Sequence, residues 1–166
     1  MEPFRAANAT KIDDTTQEME KLRFVLAVED EDGWPPVAGE SVWCERSGDV
    51  YELQNAPFFI NGIARGDKFV AETDPIDGSV LEFQITQASG HSLVWVINNN
   101  DLDFTEERRN LLDLGCSIEG FSAFHLRSID VPPSVEIGAI NAVVDRLEKL
   151  GFSVAYPVWR HGVIDT

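Results

Sequence analysis

Residues 22–28, LRFVLAV, carry apolar side chains almost without a break, the pattern of a buried strand. Glu29, Asp30, Glu31 and Asp32 then set carboxylates side by side that would repel one another in a continued ladder, and Gly33 supplies a turn. Trp34-Pro35-Pro36 directs the chain outward. Residues 40–45 alternate around Val42 and Cys44, Ser47-Gly48-Asp49 suits a turn, and Val50, Tyr51 and Leu53 resume a strand until Asn55-Ala56-Pro57 breaks it, which predicts a hairpin. Phe58-Phe59-Ile60 is short and apolar, and Gly62 and Gly66 flank a tight connection. A second hairpin is predicted from residues 68–73 and 80–86, turning at Asp74-Pro75-Ile76-Asp77-Gly78, with residues 93–97 as the next partner after Ser89-Gly90.

Beyond residue 100 the period changes. Thr105 suits the cap of a helix with Glu106 and Glu107 in its first turn, Leu111, Leu112 and Leu114 on its inner side and Gly115 as its stop. Residues 121–129 read as one strand. Pro132-Pro133-Ser134 introduces the clearest helix, in which Ile137, Ile140, Val144 and Leu147 recur at three and four residues before Gly151, and residues 152–159 return as the last strand. The expected fold class is α+β: a strand-rich curved sheet or partial barrel over 22–92, followed by a ferredoxin-like β-α-β-α-β half over 93–161, with one strand of its sheet open to donation from the first half. Residues 1–21 read as a flexible acidic leader with one helical turn, and 162–166 as a tail.

Charge narrows the partners. Among 166 residues, 29 are Asp or Glu and 13 Lys or Arg, a formal charge of −16 that would repel nucleic acid and anionic lipid. Up to Phe83 there are 7 basic and 18 acidic residues, and beyond it 6 and 11, so the first half carries most of the field. An apolar share of 43% suffices for a core without disulfides or metal. Cys44 and Cys116 stand far apart with no C-x-x-C pair and no secretory segment after Met1, so free thiols and a cytoplasmic location are expected. The longest apolar stretches, such as residues 93–97, are too short to span a bilayer. Asn8-Ala9-Thr10 and Arg65-Gly66-Asp67 match short acceptor and adhesion patterns but lack the export signal that would give them meaning.

The chemistry-bearing residues are scattered. His91 falls in a turn, His125 within a strand and His161 near the C-terminus, with no metal-ligand spacing among them, so neither metal nor cofactor is expected. A thiol dyad of Cys44 or Cys116 with His91 or His125 competes with the reading of each cysteine as a small core residue. Asp74 and Asp77 fit turn chemistry and lack the alternating ligands of a calcium loop. Gly62 and Gly66 precede no helix that could present amides to a phosphate.

Glu40-Ser41-Val42-Trp43, then Asn55-Ala56-Pro57-Phe58-Phe59, then Gly62-Ile63-Ala64-Arg65-Gly66-Asp67 resemble, in that order, a bacterial family catalogued only as a domain of unknown function. The likeness runs over residues 21–161 and implies no catalytic residue, cofactor or substrate. Read from the residues themselves, these motifs are architectural: Pro57 ends strand pairing, Phe58 and Phe59 fill the interior, and the glycines allow positive φ. A functional variant makes Phe58, Phe59, Trp43 and Trp34 the floor of a ligand groove.

Two functional readings follow. In the first, the chain is no enzyme but an acidic inhibitor of a basic protein, most naturally an immunity protein that occludes a cognate toxin such as a nuclease. Glu29, Asp30, Glu31, Asp32, Asp74 and Asp77 would steer the partner, and Trp34 would anchor it. In the second, it binds or transforms a small molecule between its halves, with His125, Glu40 or Asp67 in acid–base roles. A histidine and a carboxylate brought together in a pocket would favour the second. An acidic convex face around an exposed aromatic would favour the first.

Overall fold

The computed structural model describes residues 18–27 and 33–162. Five strands wind up and down into a small barrel: β1 (Glu18–Val25), β2 (Gly39–Ser47), β3 (Val50–Leu53), β4 (Lys68–Thr73) and β5 (Val80–Gln87). Successive strands pair antiparallel, and the barrel closes where Phe24 of β1 meets Val80 of β5 in a parallel pair. Alternation explains the interior. Leu22 and Phe24, Val42 and Cys44, Tyr51 and Leu53, and Phe69 turn inward with Ile60 and Ile63 to form one apolar cluster.

β1 begins four residues before Leu22. Glu18, Met19 and Glu20 pair with Arg46, Glu45 and Cys44, and Arg46 reaches Glu20 at 3.8 Å. Cross-strand pairing selects this stretch, which no burial pattern marks. Residues 1–17, the larger part of the expected leader, lie outside the described residues, as do Glu29, Asp30, Glu31 and Asp32 and residues 163–166 of the tail.

The second half runs β6 (Ser92–Ile97), α1 (Thr105–Leu114), β7 (Ser117–Phe121), β8 (Leu126–Val131), α2 (Ile137–Leu150) and β9 (Ser153–Val158). Its antiparallel sheet has the order β9-β6-β8-β7, the ferredoxin-like arrangement, with all four strands from this half. The expected single strand over 121–129 is instead a hairpin, β7 and β8, joined by a 3₁₀ turn at Ser122–Phe124. His125, expected within a strand, ends that turn at φ 54. The expected pairing of residues 93–97 with the second hairpin is also absent. β6 is buried along almost its whole length and takes a central place in the new sheet, where the helices cover one face through Val94 and Val96 and the barrel side covers the other through Leu93 and Trp95.

Both helices cover one face of this sheet around Val94, Val96, Ile129, Leu111, Ile140 and Leu147. α2 is capped by Glu136, whose carboxylate accepts from Gly138 and Ala139 N–H, and stops at left-handed Gly151. α1 differs from expectation: Thr105 is its first helical residue, and Asp103 accepts the Thr105 N–H at 3.0 Å. Leu112 and Ile137 point outward instead of inward, since each flanks the buried stripe of its helix. Glu107, though buried, is held by Arg146 of α2 at 2.9 Å. Among the described residues no helix is long and apolar enough to cross a membrane.

The thiols are free, Cys44 in the barrel core and Cys116 under the helices, and burial pushes each up to about 12. Burial thus disfavours the thiolate form of each. A disulfide reagent is expected to leave both unmodified in the native protein and to titrate two thiols on unfolding. Reductant is expected to leave the melting temperature unchanged, and a fall on reduction would reveal a bond.

Candidate functional site

The barrel and the second sheet meet through a third apolar cluster, in which Phe59 and Ala64 from the barrel side face Leu93, Trp95, Leu126 and Val158. Polar anchors fix this contact. Trp95 Nε1–H and the Ser128 hydroxyl both donate to the Pro57 carbonyl, at 2.8 and 2.7 Å. The Glu40 carboxylate accepts three successive backbone N–H groups, from Phe58 at 2.7 Å, Phe59 at 2.8 Å and Ile60 at 3.1 Å. Burial is the largest influence on Glu40 and raises its pKa, while these three bonds pull the other way. Asn55 Oδ1 accepts from Trp43 N–H. The first two sequence motifs are thus one device, a carboxylate on β2 holding the Asn55-Ala56-Pro57-Phe58-Phe59 turn against the neighbouring sheet.

The third motif supplies a second anchor. Asp67 is fully buried, accepts from Ala64 N–H at 2.9 Å and Ser89 N–H at 2.8 Å, and receives both arms of the Arg160 guanidinium at 2.7 and 2.9 Å. Gly66 brings this loop close: its φ is +86°, and a Cβ there would lie 3.0 Å from that of Ser89. Desolvation is the largest single influence on Asp67 and raises its pKa, but Arg160 and the backbone donors outweigh it, so the carboxyl lies below its ordinary value. Arg160 follows the last strand, so its bond to Asp67 ties the end of the chain to the barrel.

These anchors leave an apolar groove of about 780 Å³ where the barrel opens toward the second sheet. Trp34, Phe59 and Trp95 form its floor, with the Trp34 ring 5.5 Å from Phe59 and 6.3 Å from Trp95. One wall is the end of β1 and the two residues after it, from Phe24 to Ala27. Another is the start of β5 from Val80 to Phe83, where Glu82 brings a carboxylate. Val25 and Leu81, exposed by 44% and 46%, extend the apolar surface. Of the four aromatics considered for a groove floor, Trp34 and Phe59 take that place. Phe58 packs on Phe121, and Trp43 lies on the outer barrel surface with the Lys21 ammonium 5.6 Å above its ring.

Outside the groove lining, His91 Nδ1 lies 2.8 Å from Asp130 Oδ1, and Arg65 approaches Oδ2 at 3.8 Å. Burial, the largest influence, pushes Asp130 up, with His91 and Arg65 opposing. His161 Nε2 donates to the Pro132 carbonyl at 2.9 Å, and its Nδ1 lies 2.6 Å from the Ser92 hydroxyl oxygen. The partner weighed for His91 from the sequence was Cys44 or Cys116, and the structure gives it Asp130 instead. Asp130, 39 positions away, reaches it through the pairing of β6 with β8, which no sequence spacing encodes.

The acid–base candidates do not converge. Glu40 and Asp67 are engaged by backbone donors, and His125 sits in its turn. Asp74 accepts from Ile76 N–H and Asp77 from Ser79 N–H at the tip of the β4–β5 hairpin, where Ile76 is 94% exposed. Among the described residues no three metal-ligating side chains cluster.

A barrel joined to a ferredoxin-like α/β layer, with an apolar groove at the junction, is the class of structure. The chain belongs to the family described as a domain of unknown function (DUF4265), whose model matches residues 40–155. It is similar to a solved structure described as a novel crystal structure of a hypothetical protein from Neisseria gonorrhoeae, with 17% identity and a TM-score of 0.69 over 85% of this chain and 95% of that one, a likeness of fold alone. None of the curated proteins matches it.

Proposed function

We propose that this chain is a protein-binding module that captures a basic partner by seating an apolar side chain of it in the groove. One observation carries the reading. Polar anchors hold Phe59 and Trp95, and Trp34 packs against both rings, so an apolar aromatic floor lies on a chain of net charge −16. Glu82 lines the groove, and Glu29, Asp30, Glu31 and Asp32 lie in sequence between the groove residues Ala27 and Trp34. Carboxylates of this kind accelerate encounter, while the desolvated aromatic contact slows escape. The specific form of the proposal is an inhibitor that occludes a cognate toxin encoded beside it.

The test is binding kinetics against the product of the adjacent gene. The wild-type association rate is expected to fall at least about tenfold between about 50 mM and 0.5 M salt. Changing Glu29, Asp30, Glu31 and Asp32 to Asn or Gln should slow association, while Trp34→Ala should speed dissociation by about thirtyfold, the scale of an interface hot spot. Circular dichroism verifies folding. A salt-indifferent association rate together with unchanged dissociation of Trp34→Ala would overturn the reading.

A further inference from the structure

Among the described residues, β5 is paired along its length on one side only. It runs antiparallel to β4 from Val80 to Gln87, but its other edge meets β1 at the single pair Phe24 and Val80. Past that pair the strands part, Val25, Leu26 and Ala27 following one wall of the groove and Leu81, Glu82 and Phe83 the other. Among the described residues, 81–87 therefore have no ladder partner on the groove side, where alternate residues turn N–H and C=O outward. The interior is open at the same place. Phe83 lies 5.6 Å from Phe24 and 6.0 Å from Phe69, yet it and Ile85 are only half-buried while Phe24 and Phe69 are buried.

Edges of this kind are ordinarily blunted by proline, lysine or an inward charge. The strand reads VLEFQITQ and has neither proline nor lysine; its register with β4 is irregular only near its two ends. Its one charge, Glu82, stands directly opposite Glu72, and like charges in that relation repel. A cationic side chain on a neighbouring strand would relieve that repulsion. A second copy of the chain would add to it, bringing another Glu82 and another net charge of −16 to the same edge.

We infer that the groove receives an extended basic segment of the partner, which adds as a strand along the open edge of β5 and turns alternate apolar side chains toward Trp34, Phe59 and Trp95. This rests on the protein-binding reading above and states the form of the ligand. Main-chain bonds to β5 supply affinity, the aromatic floor selects the apolar positions, and Glu82 with Glu72 selects lysine or arginine between them.

The probe is a blocked peptide of alternating lysine and valine, Ac-(Lys-Val)₄-NH₂, followed by fluorescence anisotropy and by hydrogen exchange of the amides of residues 81–87. Two further peptides carry N-methyl groups on all lysines or on all valines, which leaves charge and side chains in place. A strand has two edges, so one methylated peptide is expected to bind like the parent and the other at least about tenfold more weakly, as two or three lost hydrogen bonds require. The parent should slow exchange across residues 81–87, and Glu82→Lys should weaken it several-fold with an unchanged circular dichroism spectrum.

Equal binding of both methylated peptides would overturn strand addition while leaving the docking of a basic partner intact, since that reading is tested separately by the Trp34→Ala and salt kinetics. No binding of the parent, or a dimer of the chain with protected β5 amides, would also overturn it.

Discussion

Replacing Arg160 by methionine is expected to lower stability by about 3–5 kcal/mol, the cost of leaving a buried carboxylate without its cation. Asp67 is fully buried, and beyond Arg160 its acceptors are met from Ala64 and Ser89. Methionine preserves much of the stem's volume, so the loss reports on charge. Asp67→Asn combined with Arg160→Met should recover a large part of it, because neither partner is then charged. Urea unfolding followed by circular dichroism measures all three variants, and a single-variant loss below about 1 kcal/mol, the value of an exposed pair, would show that the pair is not desolvated.

The same pair sets an acid limb. Asp67 is depressed below the ordinary value of 3.8, so its contribution is fully present above that pH and is lost as pH falls through the lower, folded value. Glu40 and Asp130 are raised by burial and act with the opposite sign. Their contributions are present below 4.5 and 3.8 respectively and decline as pH rises toward their folded values. In Arg160→Met the desolvation of Asp67 stands without its main counterweight, and the acid limb should move to higher pH.

Glu40→Ala is expected to cost about 3 kcal/mol or more, because three N–H groups in a half-buried turn lose one shared acceptor. The groove should change with it. Phe59 is fixed through its backbone by Glu40 and packs against Trp34, so tryptophan emission should shift toward that of solvent-exposed indole. Glu40→Gln retains one carbonyl oxygen and should lose clearly less. The measurement is chemical unfolding together with emission spectra, and an alanine variant within about 0.5 kcal/mol of wild type would mean that water replaces the carboxylate at no cost.

The amino-acid order by itself determined most local structure. Inward alternation around Val42, Cys44 and Leu53 marks barrel strands, and Ile140, Val144 and Leu147 mark the buried stripe of α2. Gly115 and Gly151 end the helices where the sequence places them, in left-handed conformation. These features depend on neighbours within a few positions, so a linear pattern encodes them. The Glu40 motif and the Asp67 motif were legible as conspicuous residues, but their work was not, since Glu40 holds groups 18 to 20 positions away and Asp67 holds Ser89 and Arg160, 22 and 93 positions away.

Only the tertiary structure decided the rest. It decided that β6 leaves the barrel for a second sheet, that the segment around His125 folds back as a hairpin, and that His91 meets Asp130. It also placed Trp34 and Trp95, 61 positions apart, in one floor. A strand's sequence specifies which face it buries but not which neighbour covers that face. That choice is settled by competition among all the strands for the same apolar surface and hydrogen-bonding edges, and the same competition leaves residues 81–87 of β5 without a second ladder partner among the described residues.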